Sequence, residues 1–138
     1  MAGQYAEAVR LLKRLARAEA SLAAAALPGE VASLSADLRR AADVRQVVET
    51  ARERWGRIDI LVNSAGAARA GSFLAGADRD FQAAWNLKVL GTIRMVRAVC
   101  PLMIAQGDGR IVTIVGAAVR TPPATFLAGS TANAALLN

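Results

Sequence analysis

The sequence predicts an α/β chain, a parallel sheet of about three strands flanked by helices. Three observations predict it. Apolar residues at helical spacing alternate along the chain with short strand-like runs. The run Ile58–Val62 is apolar apart from Asp59, as in a strand buried on both faces of a parallel sheet. Helical segments separate the strand candidates, which suits right-handed crossovers between parallel strands. At 138 residues, with 54% hydrophobic and 4% aromatic residues, the chain is expected to be one domain over 1–138 with an Ala-, Leu- and Val-rich core.

The elements follow in order. Residues 6–26 carry Leu11, Leu12, Leu15, Ala18, Leu22 and Ala26 at helical spacing, and Pro28-Gly29 ends the run. Val31–Ser35 alternates as a short strand. A second helix is predicted from Asp43, a suitable N-cap, to Trp55, with Val44, Val47, Val48 and Ala51 facing inward and Gly56 as C-cap. The strand 58–62 follows, then a small-residue loop over 66–76. A long helix is predicted over 78–106, with Phe81, Trp85, Leu87, Leu90, Ile93, Val96, Val99 and Met103 spread over more than one face. So wide an apolar surface predicts burial on two sides, one against the sheet and one against a second copy, hence a homo-oligomer formed through the 78–106 helix. Gly107-Asp108-Gly109 turns the chain into a strand over 110–115. A Pro-containing loop then leads to a helix from Phe126 to Asn138.

Charge and composition exclude several classes. The net charge is +6, from 15 Arg and two Lys against 11 acids. The Arg residues are scattered, with no basic block interleaved with aromatics, so nucleic acid is not an expected partner. Histidine is absent, which removes His-based nucleophilic catalysis and His-ligated metal sites, and no metal is expected. The lone Cys100 cannot form an intramolecular disulfide and fits a reducing, cytoplasmic setting. No apolar run is long enough to span a bilayer, and the N-terminal region lacks the pattern of a signal peptide.

The segment Asn63-Ser64-Ala65-Gly66, following Ile58–Val62, resembles the Asn-Asn-Ala-Gly loop of short-chain dehydrogenases/reductases, with Ser64 in place of the second Asn. The likeness extends from about Leu15 to Asn138. Asp37-Leu38 is similar to the pair after that family's third strand, whose carboxylate contacts the adenine amino group. The resemblance implies a cofactor-binding set of Asp37, Leu38, Asn63, Ala65 and Gly66, with NAD or NADP as the family cofactor. Asn86 resembles the family's helix Asn, a remnant of its proton relay. Arg110–Val115 resembles the fifth strand. The resemblance thus implies a partial Rossmann-like sheet.

Other parts are expected to be absent. No Gly-rich phosphate loop stands before Gly56, so a truncated member of the family is expected, without the helix N-terminus that holds the cofactor phosphates. By the resemblance, the family's catalytic Ser, Tyr and Lys fall on Gly116, Gly129 and Asn133. Loss of one positioned acid typically costs about 10²–10⁴ in rate. The expectation is therefore an oxidoreductase-like protein without hydride transfer and with weak or no cofactor binding. With the family's first two strands missing, 31–35 is expected to pair directly with 58–62. Two alternatives stand beside this. One is a non-enzymatic assembly module built on the 78–106 helix. The other is a small hydrolase using Ser64, Ser72 or Ser130 with Lys88 or Asp37 as base. Any small-molecule ligand is left open.

Overall fold

The structure is a computed structural model that describes residues 29–137 together with Arg17, Ala20, Ser21 and Ala24. The predicted helix over 6–26 therefore lies outside the described residues, apart from those four, which are helical. The chain divides into two units after Ala36, and each is treated by itself.

In the first unit, residues 29–36 form no regular element. The strand expected over 31–35 is not present, and its pairing with 58–62 does not occur. Five alternating residues are a weak strand signal, and a strand persists only with a hydrogen-bonding partner.

The second unit begins with α1, Ala41–Trp55. It starts two residues before the expected N-cap. Asp43 lies in the first turn, where a negative charge favours the helix N-terminus. There its Oδ2 accepts the backbone N–H of Asp37 at 3.0 Å instead of capping its own helix. Gly56 ends α1 in the left-handed region, φ 78°, and its N–H donates to the Arg52 carbonyl. The strand β1, Ile60–Asn63, pairs in parallel with β2, Arg110–Thr113, in the register Ile60 to Arg110 through Asn63 to Thr113. Among the described residues the sheet has these two strands, not three.

The long helix is present over its expected span but is wound in three parts. These are α2, Asp78–Trp85; a π-helical turn, Asn86–Leu90; and α3, Gly91–Gln106. Gly91, Met95, Val99 and Met103 are buried at four-residue intervals and make one continuous stripe. That stripe packs with Val44 and Val48 of α1 and Leu61 of β1 into the core. Gly91 has a packing reason: a Cβ there would stand 3.2 Å from Leu38 Cβ. Expected burial of the strand on both faces is not met. Leu61 and Asn63 are buried, whereas Ile60 is 63% exposed and Val62 lies open beside it. Among the described residues, helices cover one face of the sheet. A short 3-10 turn, Ala117–Val119, precedes α4, Leu127–Leu137. No helix of the described residues is long and apolar enough to cross a membrane.

Candidate functional site

β1 and β2 run parallel, so the loops leaving both strands emerge at the same end of the sheet, where ligands of such sheets usually sit. The first of these loops holds Gly66, Ala67 and Ala68, and the second holds Gly116. The π turn brings Lys88 to the same place, and α4 with the residue before it brings Phe126, Gly129, Ala132 and Asn133. Together they line a cavity of about 170 Å³.

Missing side chains shape this cavity. A Cβ on Gly66 would stand 3.1 Å from Lys88 Cδ, so a side chain there would press on the Lys88 stem. A Cβ on Gly116 would stand 3.0 Å from Asn133 Nδ2. A Cβ on Gly129 would stand 2.2 Å from Phe126 Cε1, so the phenyl ring occupies the space a side chain at 129 would need. Asn133 is 3% exposed, and its Oδ1 has no hydrogen-bond partner among the described residues. Lys88 is half-buried and forms no ion pair among the described residues.

Of the residues singled out in the sequence, Gly66, Gly116, Gly129 and Asn133 are thus brought together. Asn63 is buried at the end of β1, with its Nδ2 lacking a partner among the described residues, and Ala65 is exposed in the following loop. Neither lines the cavity. Asn86 also lies outside it. Its Oδ1 accepts from Arg94 Nη2 at 3.0 Å, while Arg94 Nη1 donates to the carbonyls of Asn86 and Leu38, each at 3.2 Å. Arg94 therefore ties the π turn to the segment containing Asp37 and Leu38.

Asp37 is engaged by its neighbour. Arg39 Nε donates to Oδ1 at 2.8 Å, Nη2 donates to Oδ2 at 2.6 Å, and the Arg39 backbone N–H donates to Oδ1 at 3.0 Å. The Arg39 side-chain hydrogen bonds outweigh partial burial and hold the carboxyl at about 2, below its usual value of 3.8.

The Ser130 hydroxyl is buried and donates to the Phe126 carbonyl at 3.0 Å, as serines within helices often do. Ser64 and Ser72 are exposed in loops. No cluster of metal-ligating residues occurs among the described residues.

Ala67, Ala68, Ala132, Phe126 and Lys88 escape sequence reasoning as residues of this cavity. Phe126 looked like a helix start. Lys88 reads from the sequence only as a possible general base, because regular α-helical spacing does not show which of Asn86 and Lys88 a π turn brings to the cavity. The usable signal was compositional: Lys88 is the one Lys after Lys13 in a chain that otherwise uses Arg.

Comparison with known proteins accords with this geometry. The model of the short chain dehydrogenase family matches residues 3–138. The oxidoreductase UcpA of Escherichia coli (strain K12) is 46% identical over 98 residues, covering 67% of this chain and 36% of that protein. The granaticin polyketide synthase putative ketoacyl reductase 2 of Streptomyces violaceoruber is 32% identical over 133 residues, covering 93% of this chain and 53% of that protein. Among solved structures, an NAD+-bound xylitol dehydrogenase superposes with a TM-score of 0.83 at 28% identity, over 91% of this chain and 48% of that one. A short-chain dehydrogenase/reductase from Burkholderia phymatum in complex with NAD superposes with a TM-score of 0.81 at 26% identity, over 89% of this chain and 43% of that one. The chain thus spans between about a third and a half of the length of these relatives.

Proposed function

The chain belongs to the short-chain dehydrogenase/reductase family, and from that premise we propose that it keeps the Rossmann-type frame of these oxidoreductases while its own residues do not carry out hydride transfer. The cavity chemistry carries this reading. The positions that the resemblance assigns to the carbonyl-polarising Ser, the proton-donating Tyr and the Lys are Gly116, Gly129 and Asn133, and these three line one cavity. Glycine has no hydroxyl to polarise a carbonyl or pass on a proton, and an amide carries no charge to lower a neighbouring pKa. The Phe126 ring also fills the volume beside Gly129.

The residues fit NAD or NADP poorly. Both carboxylate oxygens of Asp37 are held by Arg39, so an adenine amino group would have to compete with a charged donor. Asn133 offers an amide where the resemblance puts the ammonium that holds the nicotinamide ribose. Dinucleotide binding is accordingly weak in this reading. In this reading the protein works in the cytoplasm, a setting that the unpaired Cys100 suits. Calorimetric titration with NADH and NADPH, and turnover against a panel of aldehydes and ketones, test it. No tight binding and no cofactor oxidation are expected; saturable tight binding, or turnover with any carbonyl, overturns it.

A second reading, a homo-oligomeric assembly role for the 78–106 helix, is favoured by one observation. Trp85, Leu90 and Ile104 on this helix are exposed large apolar residues, Ile104 at 79%. Its test is the mass measurement argued in the Discussion.

A further inference from the structure

The turn Asn86–Leu90 is the one π-helical stretch among the described residues, and it interrupts a helix that is otherwise regularly wound. Such turns are rare, and α winding is the default unless something holds the extra residue. Three hydrogen bonds from Arg94 meet around the first residue of this turn. Nη2 donates to Asn86 Oδ1 at 3.0 Å, and Nη1 donates at 3.2 Å both to the Asn86 carbonyl and to the Leu38 carbonyl. The far end of the turn meets the same neighbour. Gly91 packs against Leu38 and donates its N–H to the Asn86 carbonyl, five residues back. No carboxylate pairs with Arg94 among the described residues, so these three oxygens are what its guanidinium holds.

Helix geometry ties the clamp to the winding. Each residue turns an α-helix by about 100°, so residues eight apart stand roughly 80° apart around the axis. One residue taken up by a π turn removes about 100° of that rotation, which brings positions 86 and 94 within roughly 20° of one face. Helix side chains lean towards the N-terminus, so Arg94 reaches back along that face to Asn86. We propose that Arg94 is a positioning residue that selects the π register, and that without it the turn relaxes to α winding and rotates the helix before it. α3 is the fixed side, held in the core by Met95, Val99 and Met103. α2 and the turn are the side that moves. A rotation of about 100° carries Trp85 away from Thr131, whose Oγ1 accepts the indole N–H at 3.0 Å, and carries the Lys88 stem away from Gly66. A guanidinium outside the cavity thus decides which side chains of this helix meet the cavity loop and α4. The device does not depend on whether the chain transfers hydride.

The test is NMR on the full chain in three forms: unaltered, Arg94→Met, which keeps the apolar stem and loses the donors, and Arg94→Ala with methylguanidinium added below denaturing concentration. In the unaltered chain the Asn86 Hα to Gly91 N–H contact of a π turn is expected, and the two Arg94 Nη groups should give separate, slowly rotating signals. Arg94→Met is expected to lose the Asn86–Gly91 contact and to shift the Trp85 indole N–H, while the Val99 and Met103 amides stay in place. Methylguanidinium is expected to restore the contact and the indole signal in Arg94→Ala. Retention of both in Arg94→Met, changes that spread to Val99 and Met103, or failure of the rescue would overturn the proposal. A freely rotating Arg94 guanidinium in the unaltered chain overturns it as well, and that measurement decides the matter even if a variant fails to fold.

Discussion

Gly129 stands inside α4, where alanine is ordinarily the better helix former by about 1 kcal/mol. The Phe126 ring opposes that gain, since a Cβ at 129 would lie 2.2 Å from it. Overpacking of this kind costs about 1–3 kcal/mol, so Gly129→Ala is expected to destabilise the chain by about 1 kcal/mol. In a Phe126→Ala background the clash is gone and the same substitution should stabilise. Urea unfolding of the four proteins in that cycle checks the change of sign. Asp37 supports a second expectation at this scale. Its folded pKa of about 2 lies below the usual 3.8, so the Arg39 contact stabilises the folded chain above the unfolded value and is lost as pH falls through the folded one. Both partners are partly exposed, which limits the contribution to about 1 kcal/mol or less. Asp37→Asn should therefore lower stability slightly at neutral pH and flatten its fall between about pH 4 and pH 2. A carbon-13 titration of the Asp37 carboxyl, with a midpoint near 2, gives the direct check. Sequence alone could mark Asp37 as a candidate ligand for adenine. It could not show that Arg39, two residues on, takes both oxygens, because that depends on the turn between them.

At the scale of elements, the period of the apolar pattern carried most of the information. Val44, Val48 and Gly56 could be assigned to the inner stripe and C-cap of α1 because a 3.6-residue repeat and a glycine stop are local features. Start positions were less legible. Asp43 looked like an N-cap by residue type, but its carboxylate serves the Asp37 backbone, a contact six residues apart that no cap rule encodes. The 78–106 helix was legible as one element, while its π turn was not, and that turn decides that Lys88 rather than Asn86 reaches the cavity. Beyond the turn, the stripe of Gly91, Met95, Val99 and Met103 holds α3 against α1 and β1. Val99 is 1% exposed at its centre. Val99→Ala removes two buried methyl groups and leaves a small void, for an expected loss of about 2 kcal/mol. Thermal and urea unfolding measure that loss. A change below about 0.5 kcal/mol would show that the stripe is not the main contact of α3.

Across the whole molecule, the strand Ile58–Val62 posed the sharpest conflict between pattern and structure. Its nearly unbroken apolar run reads as two-sided burial, yet helices cover only the face carrying Leu61 among the described residues. Ile60, Val62, Val112 and Ile114 are left as exposed large apolar side chains. Strand type was legible because it is written in the run itself. What covers the second face was not, because that depends on segments far away in sequence or on another molecule. Two apolar surfaces therefore compete as the seat of self-association: this sheet face, and the outer side of the 78–106 helix with Trp85, Leu90 and Ile104. The two are separable by charge. A lysine placed in an apolar interface must be desolvated there, whereas on a free surface it costs almost nothing. If the helix forms the contact, the native chain runs as a homo-oligomer in light scattering, Ile104→Lys lowers its mass, and Val62→Lys leaves the mass unchanged. The reverse pattern moves the interface to the sheet. A monomer at all concentrations removes the assembly reading, and the exposed helix side chains then have no partner of their own kind.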